Sequence, residues 1–215
     1  DSAQATRVLL FIHSLHGGGA VRVAADLSAH WADMGREVMV VTQAGAEGDV
    51  YTLHPKVRRE ILHTAGEGGG LRGIWSNVQR VRALRRVIKA FRPDIVLGMM
   101  TTASVLSVLA CAGLRCRVIA TEHTHPPSQT LSGFWQRLRR LTYPRAARVV
   151  ALTRGTADWL DRHVPGSRLA VIPNPVHFPL PRAETILTPV TDDGRKRLLA
   201  VGRLHADKGF DLLIQ

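Results

Sequence analysis

Three groups of residues in the 215-residue chain have types and spacings that could do chemistry. The stretch "LHGGGAVR" sets Gly17, Gly18 and Gly19 between an apolar run and an amphipathic one. Three glycines in a row are costly to order, so they mark backbone that turns sharply or is approached closely. The free N–H groups of a helix starting just after them would form an anion site. A tight turn with no ligand is the competing reading. The stretch "TEHTHPP" places His123 at the end of an apolar segment and His125 two residues later. An imidazole there can hydrogen-bond a hydroxyl or a diphosphate, or move a proton. In "VGRLHADKGFD", Arg203 follows a glycine and Lys208 precedes one at a helix start. Two cations flanking free backbone amides could clamp a diphosphate.

Other chemistries are excluded. A dinucleotide fingerprint needs a third glycine where Arg22 stands and an acid where the second strand ends in Thr42 and Gln43. No Lys-Ser or Lys-Thr follows the glycines, so the Walker phosphate loop fails as well. The two histidines have no third ligand near them. Cys111 and Cys116 form no C-x-x-C, so no metal site is expected and the thiols read as buried and reduced.

These residues need elements to hold them. Apolar strands are expected at 7–13, 37–42, 57–62, 94–100, 117–123, 148–153 and 169–173, with helices at 21–34, 75–91, 102–112, 134–141 and 155–163. Gly66, Gly68, Gly69, Gly70 and Gly73 read as a loop. The alternation predicts an α/β fold, a Rossmann-like and mostly parallel sheet with helices on both faces. The glycine turn and His123 then fall at strand carboxyl ends, the edge where such sheets bind ligands. Residues 1–172 make this domain. Residues 173–196, with five prolines, read as a linker. Residues 197–215 read as the first strand and helix start of a second, truncated Rossmann-like domain. One strand cannot stand alone, so the chain reads as a fragment.

The net charge of +12 is concentrated. Residues 71–92 carry seven basic groups and residues 131–150 carry five, with no acid in either stretch, so the rest of the chain is neutral. Each stretch suits phosphate, nucleic acid or anionic lipid, or is a solvated helix face. Nucleic acid is disfavoured, because aromatic stacking positions are not interleaved with the cations. No run reaches the ~18 to 20 apolar residues of a membrane span. The polar start, residues 1–6, lacks a signal-peptide core, which predicts a cytoplasmic protein.

The segments "HGGGAVRVAADLSAHWADMGREVMVVT", "TEHTHPP", "RVVALTRGTADWL", "VIPNPV" and "VGRLHADKGFDLLI" resemble, in order and spacing, the landmarks of the family-four retaining glycosyltransferases of GT-B fold. The resemblance implies that this chain is the acceptor-side domain plus the start of the donor-binding domain. It implies transfer of a sugar from a UDP- or GDP-sugar to a glycan or polyprenyl-linked acceptor, with retention and without a metal or other cofactor. By position, His123 would sit at the reaction centre. Arg203 and Lys208, with Gly18 and Gly19, would hold the donor diphosphate. Gly17, Thr153 and Asn174 would line the acceptor side of the cleft. Two departures stand out. Val21 replaces the glutamate many members have after Gly-Gly-Ala, and the family's two-glutamate donor motif would lie beyond Gln215.

Within this resemblance the stretch "GFWQRLRRLTYPRAARVV" gains a role. Trp135, Arg137, Arg139 and Arg140, with Phe134, Leu138 and Leu141, would form a cationic amphipathic face for an anionic inner leaflet. A reading from another class is a non-catalytic GT-B-like module that binds a polyanion, a membrane or a partner protein. A donor domain with its two glutamates downstream would favour the enzyme.

Overall fold

A computed structural model describes residues 6–66, 70–129, 131–176, 199–202 and 209–214. The chain divides into two compact units, Asp1–Val176 and His177–Gln215. In the first, strands β1 (Arg7–Ile12), β2 (Glu37–Thr42), β3 (Arg58–Ile61), β4 (Ile95–Met99), β5 (Arg117–Glu122), β6 (Arg148–Ala151) and β7 (Leu169–Val171) alternate with helices α1 (Gly19–Asp33), α2 (Gly70–Phe91), α3 (Thr101–Cys111), α4 (Gly133–Thr142) and α5 (Arg154–His163). The strands form one sheet in the order β3-β2-β1-β4-β5-β6-β7. Every neighbouring pair is parallel.

The chain moves left from β1 to β2 and β3, then right from β4 onward. Right-handed crossovers therefore put α1 on one face and the later helices on the other. The core follows this division. Val8, Leu10 and Ile12 of β1 pack with Val21, Val23 and Ala24 of α1. Leu9 and Phe11 face the opposite way, into a cluster with Leu84 and Ile88 of α2, Leu106 of α3 and Leu160 of α5. The reversal between β1 and β4 opens a crevice at their carboxyl ends. Gly98 on β4 lets α3 lie against the sheet: a Cβ there would come within 2.5 Å of Ser104 Cα.

Several expected boundaries shift. Gly70 and Gly73 belong to the first turns of α2 rather than to a loop. Packing of the apolar stripe through Leu84, Ile88 and Phe91 outweighs their poor helix propensity. Strand β6 stops at Ala151 because Thr153 turns to cap α5. Strand β7 stops at Val171, ahead of Pro173, which has no N–H for a ladder. In the second unit, residues 199–201 are not in a strand, contrary to expectation, and a short helix, α6, spans Phe210–Leu213. A strand exists only by pairing, and the described residues of this unit offer it no partner. The linker expected at 173–196 lies outside the described residues from 177 on.

Candidate active site at the carboxyl edge of the sheet

The glycine turn leaves β1 and enters α1. Gly17 and Gly18 both have φ +113°, a backbone that side chains rarely adopt. Gly18 is the N-cap of α1, with φ 113° and ψ 164°, and no side chain caps the helix. The turn is fixed at its base, where Val50 N–H donates to Leu15 O at 3.0 Å. A Cβ at Gly18 or Gly19 would meet nothing within 4 Å. Gly17 and Gly18 are thus required by conformation, and the turn leaves open backbone beside the first-turn N–H groups of a fifteen-residue helix.

His123 follows β5 immediately, two strands across the sheet from the end of β1, about 10 Å by strand spacing. Its Nε2 lies 3.1 Å from Thr121 Oγ1. The single Thr121 hydroxyl proton is directed to Gly98 O at 2.9 Å. With that proton assigned to Gly98 O, Thr121 Oγ1 accepts from His123 Nε2–H, the tautomer that leaves Nδ1 as the acceptor. Nδ1 is buried and has no hydrogen-bond partner among the described residues. Burial also pushes the imidazole below its ordinary value of 6.5, so the neutral ring is the resting form. His125 differs: it is exposed, and its Nδ1 is 3.2 Å from Thr156 Oγ1, tying its loop to α5.

Behind His123 lies a buried polar cluster that sequence reasoning did not single out. Glu122 is 1% exposed. Its Oε1 accepts from the Tyr143 hydroxyl at 2.5 Å and its Oε2 from Thr101 Oγ1 at 2.8 Å. Arg139 Nη1 stands 3.7 Å from Oε1. Burial pushes the Glu122 carboxyl up, and the Tyr143 and Thr101 hydroxyls and the Arg139 cation pull it partly back. Tyr143 is raised well above its usual range, by burial first and then by the Glu122 charge. Arg139 is 3% exposed, and its guanidinium also lies 4.8 Å over the Trp159 ring. The only advance sign of this cluster was the acid beside the histidine in "TEHTHPP".

The expected membrane face is corrected accordingly. Arg139 points inward to Glu122, because a buried carboxylate at the end of β5 needs a cation and α4 supplies it. Trp135 is half-buried against the core. Arg137 and Arg140 are exposed as expected, together with Phe134 and Leu141.

Trp135 instead lines a cleft of about 880 Å³ at the β1/β4 reversal, with His13, Gln43, Arg80, Met100 and Ser132. Arg80 spans to the opposite wall: its guanidinium donates to Thr64 O, Gly66 O and Asn77 Oδ1. Met100 caps α3 at φ 73° and ψ 166°, a conformation that favours glycine, and no residue pattern in the sequence announced it. Its N–H approaches Thr121 Oγ1 at 3.4 Å, which links the cleft edge to His123. Of the described residues expected at the site, Trp135 alone is in this lining. A second recess, of about 540 Å³ between β3 and α2, holds none of them.

Thr153 is exposed at the end of β6, and its hydroxyl accepts from Thr156 N–H at 3.2 Å as the cap of α5. Asn174 is exposed beyond β7. Arg203 and Lys208 lie outside the described residues. Among the described residues no group of three or more His, Cys, Asp or Glu side chains could hold a metal ion.

The sheet order, the open helix terminus at the first strand and the neutral histidine at β5 define a Rossmann-like α/β domain with its ligand edge at the β1/β4 reversal. The model of Glycosyltransferase Family 4 matches residues 17–178, and the chain belongs to that family. Its fold is that of GT-B glycosyltransferase domains. Sucrose-phosphate synthase from Thermosynechococcus elongatus superposes with a TM-score of 0.64 at 14% identity, over 78% of this chain and 48% of that one. Anabaena Alr3699/HepE, solved in complex with UDP and glucose, gives a TM-score of 0.57 at 16% identity, over 79% of this chain and 44% of that one.

A curated relative from Campylobacter jejuni is the GalNAc-alpha-(1->4)-GalNAc-alpha-(1->3)-diNAcBac-PP-undecaprenol alpha-1,4-N-acetyl-D-galactosaminyltransferase. It is 24% identical over 202 residues, covering 94% of this chain and 54% of the relative. The chain therefore spans about half the length of the curated relative it matches.

Proposed function

We propose that this chain is the acceptor-side half of a glycosyltransferase that moves a sugar from a UDP- or GDP-sugar to a lipid-linked or cell-envelope glycan, with retention of configuration. The observation that carries this reading is His123: a neutral imidazole at a strand carboxyl end, with its tautomer set by Thr121 and Nδ1 left without a donor. An unmet buried acceptor costs roughly 1–3 kcal/mol until a donor reaches it, and a sugar hydroxyl is such a donor.

Negative charge collects on the diphosphate as the glycosidic bond breaks. The open N-terminus of α1 at Gly18 and Gly19 supplies backbone N–H groups to that charge, and Arg203 and Lys208 supply cations. The acceptor occupies the cleft between Arg80 and Trp135; Gly17, Thr153 and Asn174, which the family resemblance assigns to the acceptor side, follow β1, β6 and β7 and are outside its lining. The donor half completes the site, so residues 1–215 alone are expected to turn over negligibly. The reaction draws on no metal.

No helix among the described residues is long and apolar enough to cross a membrane. The exposed Phe134, Arg137, Arg140 and Leu141 of α4 suit an anionic bilayer surface, and so do exposed Trp75 and the Arg82 guanidinium 5.9 Å over its ring. They support a peripheral enzyme of the inner leaflet acting on a polyprenyl-linked acceptor.

The test is an assay of the full-length protein with a panel of UDP- and GDP-sugars and polyprenyl-diphosphate glycans. Product anomers are then read by NMR. Transfer with an anomer matching the donor supports the reading. Donor binding without transfer to any acceptor would favour the non-catalytic module.

A further inference from the structure

The cleft at the β1/β4 reversal is lined by a polar side chain to which the fold gives no partner. Gln43 follows β2 directly and shares the lining with Arg80 and Trp135. Its backbone is fastened from both sides. The Gln43 N–H donates to His13 O at 3.0 Å, and its carbonyl accepts from Thr64 N–H at 3.0 Å and Ala65 N–H at 3.3 Å. Arg80 braces the same point, since its Nε–H donates to Thr64 O at 3.0 Å. The side chain is held otherwise. Gln43 is only 2% exposed, yet its carboxamide has no hydrogen-bond partner among the described residues. A carboxamide can donate twice and accept twice, and leaving it buried and unmet costs free energy that a ligand would recover.

We propose that Gln43 is a specificity-determining residue that reads a vicinal pair of hydroxyls on the acceptor sugar ring, an assignment that rests on the acceptor occupying this cleft. The position supports it. At the end of the second strand, dinucleotide-binding domains of this architecture place an acid that hydrogen-bonds a ribose hydroxyl. This chain has a neutral carboxamide there. Its Oε1 accepts from one hydroxyl while its Nε2 donates to the next, so two adjacent hydroxyls are held together with their proton directions fixed. Arg80 supplies further donors. Its guanidinium is held by Thr64 O, Asn77 Oδ1 and Gly66 O, which takes three of its five N–H groups and leaves two. Trp135 adds an aromatic side chain to the lining, suited to the apolar face of a pyranose. Such a site rejects a sugar that lacks one of the two hydroxyls, because the carboxamide is then left unpaired again.

The experiment is saturation-transfer NMR of the full-length protein with the methyl pyranosides of glucose, galactose and their 2-acetamido counterparts, and with uridine. The 3-deoxy analogue of each pyranoside is the key probe, because it keeps no adjacent pair of ring hydroxyls. At least one pyranoside should bind the wild type, and its 3-deoxy analogue should bind roughly ten- to a hundredfold more weakly. Gln43→Met, close in size, should bind parent and 3-deoxy sugar equally weakly. Gln43→Glu, which still accepts from both hydroxyls, should keep the preference for the parent. Circular dichroism checks that each variant is folded. A wild type that binds no pyranoside, or binds parent and 3-deoxy sugar equally, would overturn the proposal. So would a Gln43→Met protein that keeps the preference. Weakened uridine binding with unchanged pyranoside binding in Gln43→Met would overturn the assignment to the acceptor, placing the carboxamide on a donor ribose instead. The titration needs neither donor nor turnover. Transfer with an acceptor KM unchanged by Gln43→Met therefore overturns this proposal and leaves sugar transfer standing. Pyranoside binding that depends on Gln43, in a protein that transfers to no acceptor, does the reverse.

Discussion

At His123 a single hydroxyl, that of Thr121, decides which nitrogen is available. Its proton goes to Gly98 O, so Nε2 keeps its own proton and Nδ1 is the working atom. Burial sets the sign of the pH dependence. The folded-state value is lowered from 6.5, so the folded chain binds fewer protons than the unfolded chain. The contribution of the neutral ring is fully present above 6.5 and is lost as pH falls through the lowered value. We expect kcat/KM of the full-length enzyme to fall on an acid limb below 6.5, and the limb to be absent from the residual activity of His123→Gln. A wild-type profile that is flat through this range would contradict the assignment. The histidine itself was legible in the sequence from its place after an apolar run. Its tautomer was not, because it depends on the neighbouring strand β4 through Gly98.

Among the elements, α4 shows where patterning succeeds and where it stops. Its cationic amphipathic character is plain in the sequence, but three adjacent arginines within four residues give no sign of which one turns inward. Arg139 does, because one turn of helix carries it over the end of β5, where Glu122 waits. Removing Glu122 leaves a buried cation and should cost about 3–5 kcal/mol at neutral pH, read as a fall in denaturant midpoint for Glu122→Gln. Arg139→Met behaves differently. It leaves a carboxyl whose folded value is already raised by burial, with the Tyr143 and Thr101 hydroxyls still bonded to it. That carboxyl can take up a proton, so stability is retained at pH below the unfolded carboxyl value and lost as pH rises through the raised one. The Arg139→Met chain should therefore melt at a higher temperature in mildly acid than in neutral buffer. An unchanged difference between wild type and variant across that range would show that Glu122 stays ionised. The parallel sheet was equally accessible, because short apolar strands alternate with helices along the sequence. The ends of β6 and β7 were misread because a cap at Thr153 and a proline at 173 overrule the apolar run.

For the whole molecule, the +12 charge lies in residues 71–92 and 131–150, the segments that contain α2 and α4, and both helices cover the same face of the sheet. Exposed Arg137 and Arg140 should each contribute about 1 kcal/mol to binding an anionic bilayer, and buried Arg139 should contribute none by this route. Sedimentation with vesicles over a salt series checks this. Arg137→Gln with Arg140→Gln should weaken binding to phosphatidylglycerol vesicles, and the wild type should ignore neutral ones. Equal binding to both vesicle types would contradict it. The clustering was visible in the sequence, whereas the cleft between Arg80 and Trp135 was not, because residues 80 and 135 come together only through the β1/β4 reversal. The central claim is that this strand edge performs sugar transfer. Its most direct test is turnover of full-length His123→Ala against wild type, with His125→Ala as the control. We expect His123→Ala to lose at least ~100-fold in turnover, the scale of one lost polar contact to the transition state, while remaining folded. His125→Ala should change turnover much less. A folded His123→Ala enzyme with near-normal turnover would contradict the account.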